Sequence, residues 1–367
     1  MAGGPSDRGS DDPAGDWPPD VDYAQLLLVA LVITVAVAVG WAASTSTTAF
    51  GAYNPAWDGA SDLSDEAAAA GSEAVVATEM AAYADAPPNG TTAVILSPDS
   101  PYTDAESARL RQFLQAGGTL IVAEDFGPHS NPLLVDLGVE TRVDGRLVRD
   151  EHDYYRTPNL TVATGVTDHP LTRDASRLTL NHGTVLRPGE ARVLVRTGRY
   201  AYLDGNRNAD LDETESMGRY PVATVESVGE GWVVVVSDPS LFVNAMLDRR
   251  GNRAFVRAAF AGQSTVLLDL THAERVPPLA AALLALRRTP WLLSVVGLLA
   301  VGGVVAVGSR PGLIRSVLAR GAEDTPSPPA DRVRRGIAAR HPDWEESRTG
   351  RLLAGLMTGE ELSREDE

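Results

Sequence analysis

Two stretches without a charged residue constrain this chain more than anything else in it. From Tyr23 to Ala43 the sequence runs YAQLLLVALVITVAVAVGWAA, and no Asp, Glu or Arg stands between Asp22 and Asp58. From Thr289 to Ser309 it runs TPWLLSVVGLLAVGGVVAVGS, bounded by Arg288 and Arg310. Each offers the roughly 20 apolar residues that a helix needs to cross the hydrocarbon core of a bilayer. Two transmembrane helices are therefore predicted, 23–43 and 289–309, with Trp291 at one interface. A cleavable signal peptide needs a basic leading segment, whereas residues 1–22 set Asp7, Asp11, Asp12, Asp16, Asp20 and Asp22 against Arg8 alone. The first stretch reads as an anchor behind an acidic, disordered tail.

Arg310, Arg315 and Arg320 follow the second stretch with no acid before Glu323, which favours a cytoplasmic C-terminus by the positive-inside rule. Two spans then put both termini in the cytoplasm and residues 44–288 outside it. Residues 310–367 form a cytoplasmic tail with short helices after the linker Pro326-Ser327-Pro328-Pro329. The lipid bilayer is the first partner this predicts.

Charge excludes another class of partner. Acids number 49 and basic residues 32, all of them Arg, for a net charge of −17. Phosphate neutralisation needs a basic face, so nucleic acid is set aside. Acidity without Lys suits a halophile, because carboxylates hold water and salt screens their repulsion. A coding bias that turned Lys into Arg would give the same count. With Cys at 0, disulfides, thiolate metal centres and a Cys nucleophile are excluded.

Within 44–288 strand and helix signals alternate as in an α/β layer fold. Val94-Ile95-Leu96 and Thr119-Leu120-Ile121-Val122-Ala123 read as buried parallel strands, joined by a helix that Thr103-Asp104-Ala105-Glu106 caps and Gly117-Gly118 stops. A helix over Leu63–Gly71, a strand over Ala74–Thr78 and a short helix from Asn131 to Leu137 complete the first half. The second half reads as β-rich: Arg192–Val195 leading to Tyr200–Leu203, then Val222–Glu226 and Trp232–Val236 as a hairpin about Gly229-Glu230-Gly231. A helix from Arg253 to Phe260 packs back on the sheet, and Leu267-Leu268-Asp269 leads towards the membrane.

Two clusters have residue types suited to chemistry. Asp204, Asn206, Asn208, Asp212 and Glu215 fall at positions one, three, five, nine and twelve of a loop, with Asp210 offering its carbonyl at seven. That is the ligand spacing with which a twelve-residue loop wraps Ca²⁺. Ala209 stands where such loops carry Gly, and forcing it to positive φ costs on the order of 1 kcal/mol. An acidic hairpin tip is the plainer account. Glu124, Asp125 and His129 stand just past the strand from Thr119, at the carboxyl edge where open α/β sheets place ligands. They are the candidate acid/base residues, with capping as the bland alternative. No HExxH, GxSxG, Walker loop or GxGxxG occurs.

Ala49-Phe50-Gly51-Ala52-Tyr53-Asn54-Pro55-Ala56-Trp57-Asp58-Gly59, Ser97-Pro98-Asp99, Gly117-Gly118-Thr119-Leu120, Gly218-Arg219-Tyr220-Pro221-Val222 and Ser237-Asp238-Pro239-Ser240-Leu241-Phe242-Val243-Asn244 carry a resemblance. Over about residues 45–275 the chain resembles an uncharacterised membrane-anchored family of halophilic archaea, the domain of unknown function DUF4350. That resemblance implies a flavodoxin-like, mostly parallel sheet similar to class I glutamine amidotransferase-like domains and to the extracytoplasmic part of gliding-motility and ABC-transport auxiliary proteins. It also implies a setting beside a MoxR-type AAA ATPase and von Willebrand factor-like or transglutaminase-like membrane proteins. Amidotransferases of that fold use a Cys nucleophile, so the scaffold carries over without a catalytic residue.

The expectation is a non-enzymatic accessory or binding protein of the cell envelope. An extracytoplasmic hydrolase or transferase using Glu124, Asp125 and His129 is the alternative, and a sensor relaying across the membrane a third.

Overall fold

A run such as Thr91-Thr92-Ala93-Val94-Ile95-Leu96, apolar or uncharged at every position, is buried only if both faces of its strand are covered. The computed structural model shows that arrangement and describes residues 23–273 and 276–282, with residues 298 and 340. The chain divides into two units, Leu27–Pro290 and the remainder, Met1–Leu26 with Trp291–Glu367. The first unit holds the fold described here.

The labelled elements are helices α1 (Tyr23–Ser44), which belongs to that unit from Leu27 on, and α2 (Asp62–Ala69), strand β1 (Glu73–Ala77), α3 (Ala82–Asp85), β2 (Thr91–Leu96), α4 (Asp104–Gln115), β3 (Thr119–Ala123) and α5 (Ser130–Asp136). Then come β4 (Gly165–Val166), β5 (Arg192–Arg196), β6 (Pro221–Val228), β7 (Gly231–Val236), α6 (Asn244–Leu247), α7 (Arg250–Phe260) and β8 (Thr265–Asp269). The eight strands form one mixed sheet in the order β1-β8-β2-β3-β7-β6-β5-β4. It is parallel from β1 to β7 and antiparallel from β7 to β4.

The register fixes which side chains share a face. Val94, Ile121, Val234 and Val236 pack on the side of Leu63, Phe255 and Phe260, from α2 and α7. Ile95, Leu120, Val122 and Val235 pack on the other side with Leu110, Phe113, Leu114 and Leu133, from α4 and α5. Helices thus cover both faces of the parallel half. Between α5 and β6 the chain adds small antiparallel pieces, among them Leu147–Asp150 paired with Ala201–Asp204.

Several expectations need correction. The sheet is mixed: its parallel part is followed by the hairpin expected about Gly229 (φ +63°), in which β7 returns on β6, and β5 continues antiparallel beside β6. A flavodoxin-like order keeps the first two strands adjacent, whereas β8 separates β1 from β2 because α7 carries the chain back across the sheet. Leu267-Leu268-Asp269 is accordingly an interior strand and not a lead to the membrane. Arg192–Val195 and Tyr200–Leu203 belong to different sheets, since the second pairs with Leu147–Asp150. The first predicted span is helical from Tyr23 to Ser44, but among the described residues no helix is long and apolar enough to cross a membrane. The side chains of residues 23–26 and 29 lie outside that description. The second span, 289–309, the N-terminal tail and the tail from 310 lie outside the described residues, apart from residues 298 and 340.

Candidate functional site at the carboxyl edge

β3 and β7 run parallel with Ala123 opposite Val236, so the residues that leave them emerge side by side: Glu124 beside Ser237, and Asp125 beside Asp238. Successive side chains on a strand alternate between faces, which sends these two pairs to opposite sides of the sheet.

Glu124 is wholly buried and used up by its own surroundings. Its Oε1 accepts from the Ser97 hydroxyl at 3.1 Å and from the amides of Asp125 and Gly127 at 2.9 Å each. Its Oε2 accepts from the Ser130 hydroxyl at 3.0 Å. A Cβ on Gly127 would stand 2.5 Å from Glu124 Oε2, so only Gly lets the loop close this tightly. Glu124 is the pin of the β3–α5 turn, the capping role sequence logic allowed. His129 occupies the N-cap position of α5 and makes no capping hydrogen bond through its ring. Glu124, Asp125 and His129 are neighbours in the turn, but no hydrogen bond joins His129 to either acid among the described residues.

Asp125 and Asp238 behave differently. Burial pushes Asp125 up to about 6, against the pull of the Phe126 amide that it accepts at 2.6 Å, and the Glu124 charge adds to the rise. Asp238 is fully buried, and burial pushes it up to about 7 although it accepts from the Asn181 amide at 2.5 Å and the Ser240 amide at 2.8 Å. The Asp125 charge raises it further. Both carboxyls therefore keep their protons to higher pH than an exposed Asp, as carboxyls drawn out of water do. Beside Asp238 the backbone is strained, with His182 at φ +60° and a hypothetical Cβ on Gly183 only 2.8 Å from the Asp238 Cβ. Asp238 was not among the sequence candidates. The signal lay in Ser237-Asp238-Pro239, a strand end like that at Glu124-Asp125, but its pairing with β3 is visible only in three dimensions.

A second carboxyl cluster lies two strands away. Asp269, at the end of β8, accepts from Tyr83 Oη at 2.5 Å and from the Thr271 amide at 2.7 Å. Burial raises both the Asp269 carboxyl and the Tyr83 phenol. His272, which looks isolated in sequence, meets Ser100 Oγ at 2.9 Å and Glu106 Oε2 at 3.2 Å and stacks on Tyr102.

The loop from Asp204 is closed by its own hydrogen bonds. Ala209 takes φ +70° and donates its amide to Asp204 Oδ2 at 3.0 Å. Asn206 and Asn208 both donate to Asp212, and Glu215 accepts from the Gly205 and Asp212 amides. Asp210 donates its amide to Asn208 Oδ1 at 2.9 Å. Among the described residues no group of three or more His, Asp or Glu side chains is gathered so as to hold a metal ion. The loop does reach the carboxyl edge: the Arg207 guanidinium lies 4.7 Å above the Phe126 ring, next to Asp125.

No curated protein matches this chain. Among solved structures it is similar to the mmIFT52 N-terminal domain, 19% identical with a TM-score of 0.39, over 50% of this chain and 80% of that one. It is also similar to cytoplasmic protein STM1381 from Salmonella typhimurium LT2, 15% identical with a TM-score of 0.34, over 55% and 78%. A third is the exo-beta-1,4-mannosidase Op5Man5 from Opitutaceae bacterium strain TAV5, 15% identical with a TM-score of 0.26, over 46% of this chain and 24% of the enzyme. The sequence comparison is firmer: residues 52–259, more than half of the chain, match the domain of unknown function DUF4350, and the chain belongs to that family.

Proposed function

We propose that this chain is a membrane-anchored, non-enzymatic accessory or binding protein of the cell envelope that works beside a MoxR-type AAA ATPase. Its central domain stands outside the cell and both termini lie in the cytoplasm. The observation that carries the non-enzymatic part is Glu124, the most buried of the sequence candidates, whose two oxygens serve four local donors. Anchoring is supported by the uncharged stretches and by α1, where Leu27, Leu28, Leu31, Val32, Ile33 and Val35 are each more than half exposed. The ATPase setting rests on the family resemblance alone, and work in concentrated salt rests on acidity without Lys. Crosslinking the full chain in its native membrane and identifying what is attached tests the proposal. Recovery of a MoxR-type ATPase or other envelope proteins is expected, and a chain that fractionates free of membranes overturns it.

One observation favours a second reading. The raised carboxyls of Asp125 and Asp238 suit acid/base work by a hydrolase or transferase at the carboxyl edge. Turnover by the purified chain that Asp125→Asn abolishes without lowering the melting temperature would favour it.

We also propose that the loop from Asp204 to Glu215 takes Ca²⁺ as a stiffener, supported by its oxygen spacing and by Ala209 at positive φ. Melting at a higher temperature with Ca²⁺ than with chelator is expected, and identical transitions overturn it.

A further inference from the structure

In a chain with net charge −17, one helix is strongly basic: Arg250, Arg253 and Arg257 stand on α7, and Arg249 precedes it. Arg250, Arg253 and Arg257 line a groove of about 440 Å³ with alanines, including Ala69 and Ala70 at the end of α2, and a single acid, Asp174. Glu66 takes Arg253 Nε at 3.2 Å and Arg257 Nε at 2.5 Å, and Asp248 meets Arg253 at 3.4 Å, yet the two arginine side chains stay 42% and 49% exposed. Arg250 is exposed and has no ion pair among the described residues.

The segment that joins α1 to the domain is held against α6, the short helix that precedes α7. Ser46 donates its amide to the Tyr53 carbonyl at 2.9 Å, closing a compact loop directly after α1. Asn244, at the start of α6, donates to the carbonyls of Asn54 and Ala56, and the Ala245 amide donates to the Trp57 carbonyl at 3.1 Å. Trp57 itself is 69% exposed. A large indole left in water just beyond an apolar helix is the aromatic that membrane interfaces favour, and guanidinium groups bind phosphate oxygens in bidentate pairs.

We infer that Trp57 and the arginines of α7 form a docking surface for the anionic lipid headgroups of the membrane that α1 enters. The inference rests on the anchored reading above. An acidic protein segment would satisfy the arginines alone and leave Trp57 without a role, which is why lipid is the favoured occupant.

Because the chain has no Cys, Ala56→Cys accepts a single spin label at an exposed position beside Trp57. The full chain is reconstituted in vesicles of phosphatidylcholine alone and of phosphatidylcholine with phosphatidylglycerol. Label depth is read from collisions with oxygen and with a water-soluble nickel chelate. Immersion to headgroup depth is expected in the anionic vesicles, with its loss in the neutral ones and in the variants Arg250→Glu and Trp57→Ser, whose circular dichroism should match the parent. Failure of the chain to float with vesicles overturns the anchored reading and this inference together. Flotation with a label in water in both lipids overturns this inference alone, as does immersion indifferent to headgroup charge and to Arg250→Glu.

Discussion

At the residue scale the clearest consequence concerns Asp125 and Asp238. An unfolded Asp titrates near 3.9, and these two rise to about 6 and about 7 in the fold. Between the unfolded and folded values the native chain holds protons that the unfolded chain has lost, so their stabilising contribution is complete at about pH 4 and is lost as pH rises through about 7. Asp125→Asn removes the lower step and one like charge beside Asp238, which lowers the Asp238 value too. Thermal melts from pH 4 to pH 8 should show a shallower fall for Asp125→Asn than for the parent, and equal slopes would refute the coupling. Ala209 makes a separate case. At φ +70° it pays for a Cβ in the left-handed region, so Ala209→Gly should stabilise the fold by about 1 kcal/mol in denaturant titration. Acidic clusters and the Ca²⁺-like spacing are legible in sequence because they are local. Asp238 was not, because its neighbour Asp125 lies far away along the chain.

At the element scale, local chemistry and tertiary pairing contribute differently. The box predicted at Thr103 forms in full: the Thr103 hydroxyl accepts from the Glu106 amide at 3.3 Å, and Glu106 Oε2 accepts from the Thr103 amide at 2.7 Å. Thr103→Ala should cost about 1 kcal/mol, read from the midpoint of chemical denaturation. β2, β3, β7 and the hairpin at Gly229 were all legible because a continuous apolar run with a Gly-bearing turn leaves few alternatives. Two-residue strands such as Arg142–Val143 and Leu178–Thr179 were not. Over so short a length no periodicity exists to be read, and pairing with Leu186–Arg187 or Thr157–Ala163 alone makes them strands.

For the whole molecule the decisive element is β8, which pairs with β1 on one side and β2 on the other. A chain ending before Thr265 would leave β1 without a partner and one edge of the buried strand β2 open. Such a truncation should fail to give the cooperative melt of the full chain in circular dichroism, whereas removing residues beyond 310 should leave it intact. Sequence by itself determined the α/β class, the parallel core, the capped α4, the absence of thiol chemistry and the two uncharged stretches, since each follows from neighbours in the chain. Only tertiary structure decided that β8 inserts between β1 and β2, that Glu124 is a structural pin, that Asp238 comes near Asp125, and that the loop carrying Trp57 is fastened to α6. The reason is physical: burial, desolvation and hydrogen-bond partnership depend on which distant segments share space, and a one-dimensional pattern records only what lies within a few residues.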